Sequence, residues 1–122
     1  MSSITHYSAC CPAALARLLG ESYEAAWWRL KQEGTDPSEP SSQAVHRALE
    51  LVGILSVHSY RRRPLFSRWR RGRDGRWLVI VTGGGSGGHA IALKDGAALD
   101  NGWAMGYGDV MSLRVHAAWR IV

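Results

Sequence analysis

The stretch Ser8-Ala9-Cys10-Cys11-Pro12-Ala13-Ala14-Leu15-Ala16-Arg17-Leu18-Leu19-Gly20 narrows the possible folds of this chain more than any other. Ala13, Ala14, Leu15, Ala16, Leu18 and Leu19 are helix formers, apolar on almost every side, so their helix belongs inside a molecule and needs other elements to cover it. Pro12 is tolerated only in the first turn, where its missing N–H breaks no bond, and Gly20 supplies a left-handed stop. Cys10 and Cys11 therefore sit at or just before the helix N-terminus. Unpaired N–H groups there carry partial positive charge, which by itself favours a thiolate, the form in which cysteine is a nucleophile.

Two more helices are predicted beside it. Ser22 reads as the N-cap of a helix from Tyr23 to about Glu33 that Gly34 ends. Its Tyr23, Ala26, Trp27 and Leu30 recur at helical spacing, which puts Trp27 inward and Trp28 near the edge. After a Pro- and Ser-rich link over 35–42, a third helix runs from Ser41 or Ser42 to Leu51 and stops at Gly53, with Val45, Leu49 and Val52 on its apolar face. Beyond it the pattern changes. Ile54 to Tyr60 alternates as a strand does, and Trp77 to Thr82 is the continuous apolar run of a central strand. His89 to Lys94, the pair Asp95-Gly96, and Ala97 to Asp100 read as a hairpin. Gly102 to Gly108 is expected as loop, and Ser112 to Val115 and Ala118 to Val122 as two final strands. Helices first and antiparallel strands afterwards make an α+β domain with helices packed on one side of a sheet, residues 1–53 helical and 54–122 carrying the strands.

The 122 residues suffice for one core and are few for two, so 1–122 is read as a single domain. The two cysteines are neighbours, and a disulfide between neighbours is strained and closes no useful loop, so free thiols are expected. Without a C-x-x-C spacing, no structural metal is expected. No basic patch followed by an apolar run opens the chain, and the longest apolar run, Trp77 to Val81, is too short for a bilayer; a cytoplasmic protein without a membrane span is expected.

One constellation carries chemistry. Cys10 opens a helix, His89 opens a strand, and Asp100 lies on the partner strand of the predicted hairpin, where paired positions come within side-chain reach. An imidazole that takes the thiol proton makes the sulfur a nucleophile, and a carboxylate holds the ring's tautomer. Asn101 is the alternative to Asp100, His6 the rival to His89, and Cys11 the rival to Cys10. His46, His58 and His116 read as surface or structural.

Cys10-Cys11-Pro12-Ala13-Ala14-Leu15-Ala16 with Leu19-Gly20 resembles the nucleophile helix of papain-like cysteine peptidases, most closely the bacteriocin-processing, double-glycine type. Gly88-His89-Ala90-Ile91-Ala92-Leu93, Asp95-Gly96 and Leu99-Asp100 resemble that group's histidine strand, turn and acidic residue. The resemblance covers roughly the first 20 residues and residues 77–101. It implies a papain-like α+β fold and thiol hydrolysis of peptide or isopeptide bonds through Cys10, His89 and Asp100, with a peptide or protein substrate and no metal or organic cofactor. The chain departs from the pattern at Ile4, where the family has an oxyanion-binding glutamine, and at Ala9 and Cys11, where it has Asp and Gly. These departures leave a second reading: a catalytically inactive papain-like binding protein.

Two further features need assignment. The loop Gly83 to Gly88 lacks the Gly-Lys-Ser/Thr ending of a phosphate-binding loop, so its Gly87 and Gly88 are read as a wall along which a substrate backbone approaches His89, and Trp103, near Asp100 in the chain, as lining the site or shielding the His89 contact. From Arg61 to Arg76, eight arginines against Asp74 give +7, which leaves −2 for the rest of a chain whose formal net charge is +5. Basicity is thus local. The segment reads as a solvated loop or as a grip for an acidic protein or a nucleic acid, the latter with Phe66, Trp69 and Trp77 stacking on bases.

Overall fold

In the computed structural model, which describes residues 10–37, 40–82, 89–99 and 112–122, the apolar run forms α1 (Cys10–Leu19), with Cys11, Pro12, Ala14, Leu15 and Leu18 buried. Gly20 ends it at φ 67°. Ser22 caps α2 (Tyr23–Lys31) by accepting the Ala25 N–H at 3.1 Å, and Ser41 caps α3 (Ser42–Glu50) by accepting that of Ala44 at 3.1 Å. Each such cap stabilises its helix by about 1 kcal/mol. Glu21, just past α1, takes a two-pronged bond from Arg29 of α2 at 3.0 and 2.8 Å, fixing the angle between the two helices. The inward stripe of α2 is Tyr23, Ala26 and Leu30. Trp27 is only half-buried, contrary to its expected inward position; it lies one residue off that stripe, edge-on to the exposed Trp28 at 4.8 Å.

The strands are β1 (Ile54–Ser59), β2 (Arg76–Thr82), β3 (His89–Lys94), β4 (Ala97–Ala98) and β5 (Arg114–Ile121), in the sheet order β1-β5-β2-β3-β4 with every pairing antiparallel. The α+β architecture and the central position of β2 match the sequence pattern. Asp95 and Gly96 both have positive φ, 49° and 84°, the requirement of the tight I′ turn that joins β3 to β4. The tail differs from expectation. Residues 114–121 form one strand of eight residues where two were expected, because no turn residue interrupts them; a bulge between Ile80 and Val81 in the pairing of β2 with β5 absorbs the break in pattern.

Both faces of the sheet are covered. On one, Leu78, Ala90, Ala92, Ala117, Trp119 and Ile121 meet Leu15 and Leu18 of α1, Leu30 of α2 and Val45 and Leu49 of α3. On the other, Val79, Val81, Ile91, Leu93 and Val115 meet Phe66 and Trp69 of α4 (Phe66–Trp69), a short helix inside the arginine-rich segment. The segment is thus the second lid of the sheet and not merely a solvated loop. Phe66, Trp69 and Trp77 are buried in it, which removes them as platforms for bases. Among the described residues, no helix is long and apolar enough to cross a membrane.

α1 lies chiefly on β3, and the strand residues beneath it are the small Ala90 and Ala92. Ala92→Leu should overpack this seam and destabilise the protein by about 1–3 kcal/mol, read as a lower urea midpoint, with its effect on Cys10 reactivity larger than that of an equally destabilising change in α3.

Candidate active site

The close approach of α1 to β3 brings the helix start onto the strand start. β4 is two residues long, and among the described residues its ladder runs as far as the Leu99 N–H, which bonds the Ala92 carbonyl at 2.8 Å. Ala90 has the same parity as Ala92, so its N–H points to the same side beyond the end of β4. The Cys10 sulfur takes that place: Ala90 N–H donates to Cys10 Sγ at 3.3 Å, joining residues 80 apart in the chain. His89, the residue before, opens β3 opposite Val81 and is half-buried. By strand alternation it has the parity of Ile91 and Leu93, so its side chain leaves the start of β3 on the face of the sheet opposite to α1.

The helix end does not win the contest for the thiol's proton. Burial pushes the Cys10 pKa above its ordinary value, against the lowering effect of N–H groups from Ala90, Cys10 and Cys11. The thiolate expected from the helix terminus alone is therefore not the resting form. Cys11 is fully buried in the core and its pKa is driven up strongly by burial and by its neighbour's charge, so it is an inert thiol. Burial also lowers the His89 pKa. At neutral pH the site rests as thiol and neutral imidazole.

Of the remaining site residues expected from sequence, Asp100, Asn101, Gly87, Gly88 and Trp103 lie outside the described residues, as do Ile4 and His6. His46 is structural: its Nδ1 accepts the Trp119 indole N–H at 3.3 Å, and its Nε2 is 3.8 Å from Glu50. His58 lies against Tyr60 and Trp77. Among the described residues, no group of His, Cys, Asp and Glu is arranged to hold a metal. The functional group that sequence reasoning missed is the Ala90 N–H. Its signal was present in the alternating alanines of 90 and 92 facing an alanine-rich helix.

The arginines divide by role. Arg70 donates to the Gly96 carbonyl at 3.1 Å, and Arg73 donates to the Trp69 carbonyl at 2.9 Å while lying over the Trp69 ring at 4.3 Å. Arg76 ties the end of α1 to the end of β5, donating to Leu18 O at 2.7 Å and to Val122 O. Arg61, Arg62, Arg63, Arg68 and Arg71 are exposed. No family model, curated protein or solved structure matches this chain.

In the native protein, iodoacetamide should modify Cys10 alone, with a rate that rises through a pKa above the ordinary thiol value of about 8.5, and should reach Cys11 only on unfolding. Peptide mass mapping across a pH series checks both points.

Proposed function

We propose that the chain is a papain-like thiol hydrolase that cleaves peptide or isopeptide bonds, with Cys10 as nucleophile and His89 as general base. The observation that carries this reading is the 3.3 Å bond from Ala90 N–H to Cys10 Sγ, which sets the only half-exposed thiol of the described residues one residue from a half-buried imidazole. The arrangement of nucleophile helix and histidine strand is the one that the resemblance to papain-like peptidases implies.

The chemistry follows from the resting state. His89, uncharged because burial disfavours its cation, is ready to accept the thiol proton. In this reading the imidazole and the sulfur meet at the start of β3, where the Ala90 N–H holds Cys10 Sγ. As the proton leaves, the Ala90 N–H holds the charge forming on sulfur. Sγ attacks the substrate carbonyl carbon, and the Cys10 backbone N–H at the start of α1 is one donor to the resulting oxyanion. Collapse expels the amine, which takes the proton from the imidazolium. The thioester is then hydrolysed by water that His89 deprotonates, returning the thiol. The resemblance gives Asp100 the role of orienting the ring. No metal or cofactor enters these steps.

Turnover of a fluorogenic Gly-Gly amide should fall by on the order of 10³ or more in Cys10→Ala and in His89→Ala, with an acyl adduct on Cys10 trapped at low pH in the wild type. Full turnover by Cys10→Ala refutes the proposal. The pH profile carries a second check. Since the His89 pKa lies below the ordinary 6.5, the base stays unprotonated as pH falls through 6.5, and the acid limb of the rate lies below that value. The same shift makes the folded state bind fewer protons than the unfolded one below pH 6.5. Acid should therefore cost the wild type stability that His89→Gln does not lose.

A further inference from the structure

The exposed arginines are not scattered over the surface. Arg63 Nη1 donates to Thr82 Oγ1 at 2.9 Å, and Arg114 Nη1 donates to the Arg63 carbonyl at 2.9 Å. The same stretch of chain is pinned to β5 by Val115 N–H bonding Pro64 O at 2.8 Å and by a bridge between Leu65 and Arg114. Thr82 is the last residue of β2 and Arg114 the first of β5, paired with each other, while Val81 pairs with His89. Cys10, His89, Thr82, Arg114 and Arg63 therefore follow one another across the same end of the sheet.

Thr82 and Arg114 share the face on which α1 packs, while His89 leaves β3 on the other. Ile80 pairs with Ala90 and packs in the core beneath α1, and strand alternation puts Thr82 on that same face, two residues or about 7 Å further along. The Arg63 guanidinium bonded to Thr82 thus stands on the side of the sheet that carries the Cys10 sulfur. Neighbouring strands are about 4.8 Å apart, so the backbones of His89 and Arg114 are on the order of 10 Å apart, about one Debye length at roughly 0.1 M salt. Arg61, Arg62, Arg63 and Arg114 are all exposed, and among the described residues none forms an ion pair with a carboxylate. The described acids of this half, Asp74 and Asp95, lie at the opposite end of the sheet, where Asp95 accepts the Gly75 N–H.

From this placement we infer that the site selects acidic substrates: a peptide whose Asp or Glu side chain, flanking the bond under attack, is bound by Arg63 with Arg61, Arg62 and Arg114 adding to the field. The inference rests on the hydrolase reading for the bond that is cut, and on the arginine geometry alone for the preference. An acidic peptide is favoured over a nucleic acid because the aromatic side chains of the segment, Phe66, Trp69 and Trp77, are buried and offer bases no face. Arg63 is a suitable anchor because its bond to Thr82 holds the fork in place before a carboxylate arrives, leaving its other donors free to grip one.

Two alkylating reagents of the same size, anionic iodoacetate and neutral iodoacetamide, test the field at the sulfur without any substrate. The iodoacetate-to-iodoacetamide rate ratio at Cys10 should exceed that of glutathione and fall about two- to fivefold in Arg63→Gln, in the double variant Arg61→Gln/Arg62→Gln and on raising salt to 1 M. Among the described residues the Arg61 and Arg62 side chains make no hydrogen bond, so the double variant keeps the test valid if Arg63→Gln unfolds. A ratio that ignores both charge removal and salt overturns the inference. In parallel, a fluorescein-labelled peptide of four glutamates should bind the Cys10→Ala protein at least several-fold more tightly than its glutamine twin. Equal binding of the two, or tighter binding of an oligothymidylate of the same charge, also overturns it. If the charge preference stands while no amide or thioester is turned over, the hydrolase reading fails and the acidic-peptide surface survives.

Discussion

A seam of alanines holds this molecule's chemistry in place. Ala90 and Ala92 on β3 present almost no side chain to α1, so the helix settles close enough for its first sulfur to complete the strand's hydrogen bonding. Bulkier residues would lift the helix and leave the Ala90 N–H without its acceptor. The supports elsewhere serve this contact: the Glu21–Arg29 fork sets the first turn after α1, and Arg76 ties the helix's last carbonyls to the far end of the sheet. A helix clamped at its C-terminal end by Arg76 and seated along its length on alanine has little freedom to move its N-terminal cysteine.

That seating has an electrostatic consequence. The same burial that positions Cys10 raises the cost of charging it, and three N–H groups directed at the sulfur offset that cost only in part. A thiol so held is protected from casual oxidation and alkylation at neutral pH, since it is the thiolate that reacts. Its activation depends on a proton acceptor arriving at the right place. In the proposed reaction that acceptor is His89, kept neutral by its own partial burial. The two groups thus rest uncharged, and not as a standing ion pair.

Much of this was legible in the residues because local signals agreed with one another. Pro12 and Gly20 bracket α1, Ser22 and Ser41 cap the next two helices, and Asp95-Gly96 closes the hairpin, each where elementary backbone chemistry puts it. What was not legible depended on distant partners. The helix of residues 66–69 is too short to show periodicity and exists because Phe66 and Trp69 fill the second face of the sheet. The sequence pattern around 115–118 looked like a break because a bulge shifts the parity of β5 against β2, something only the pairing reveals. The charge state of Cys10 was misjudged for the same kind of reason: the helix end is visible in the sequence, whereas the depth at which the sulfur is buried is not.

The place of β5 in the sheet bears on how the molecule is made. Residues 114–121 pair with β1 on one side and β2 on the other, so the strand that comes after the other described elements in the chain is an inner one. Until it emerges, β1 has no neighbour and β2 has an open flank of apolar residues. On the ribosome the α1–β3 seam would have to wait with half its sheet missing until β5 had been translated.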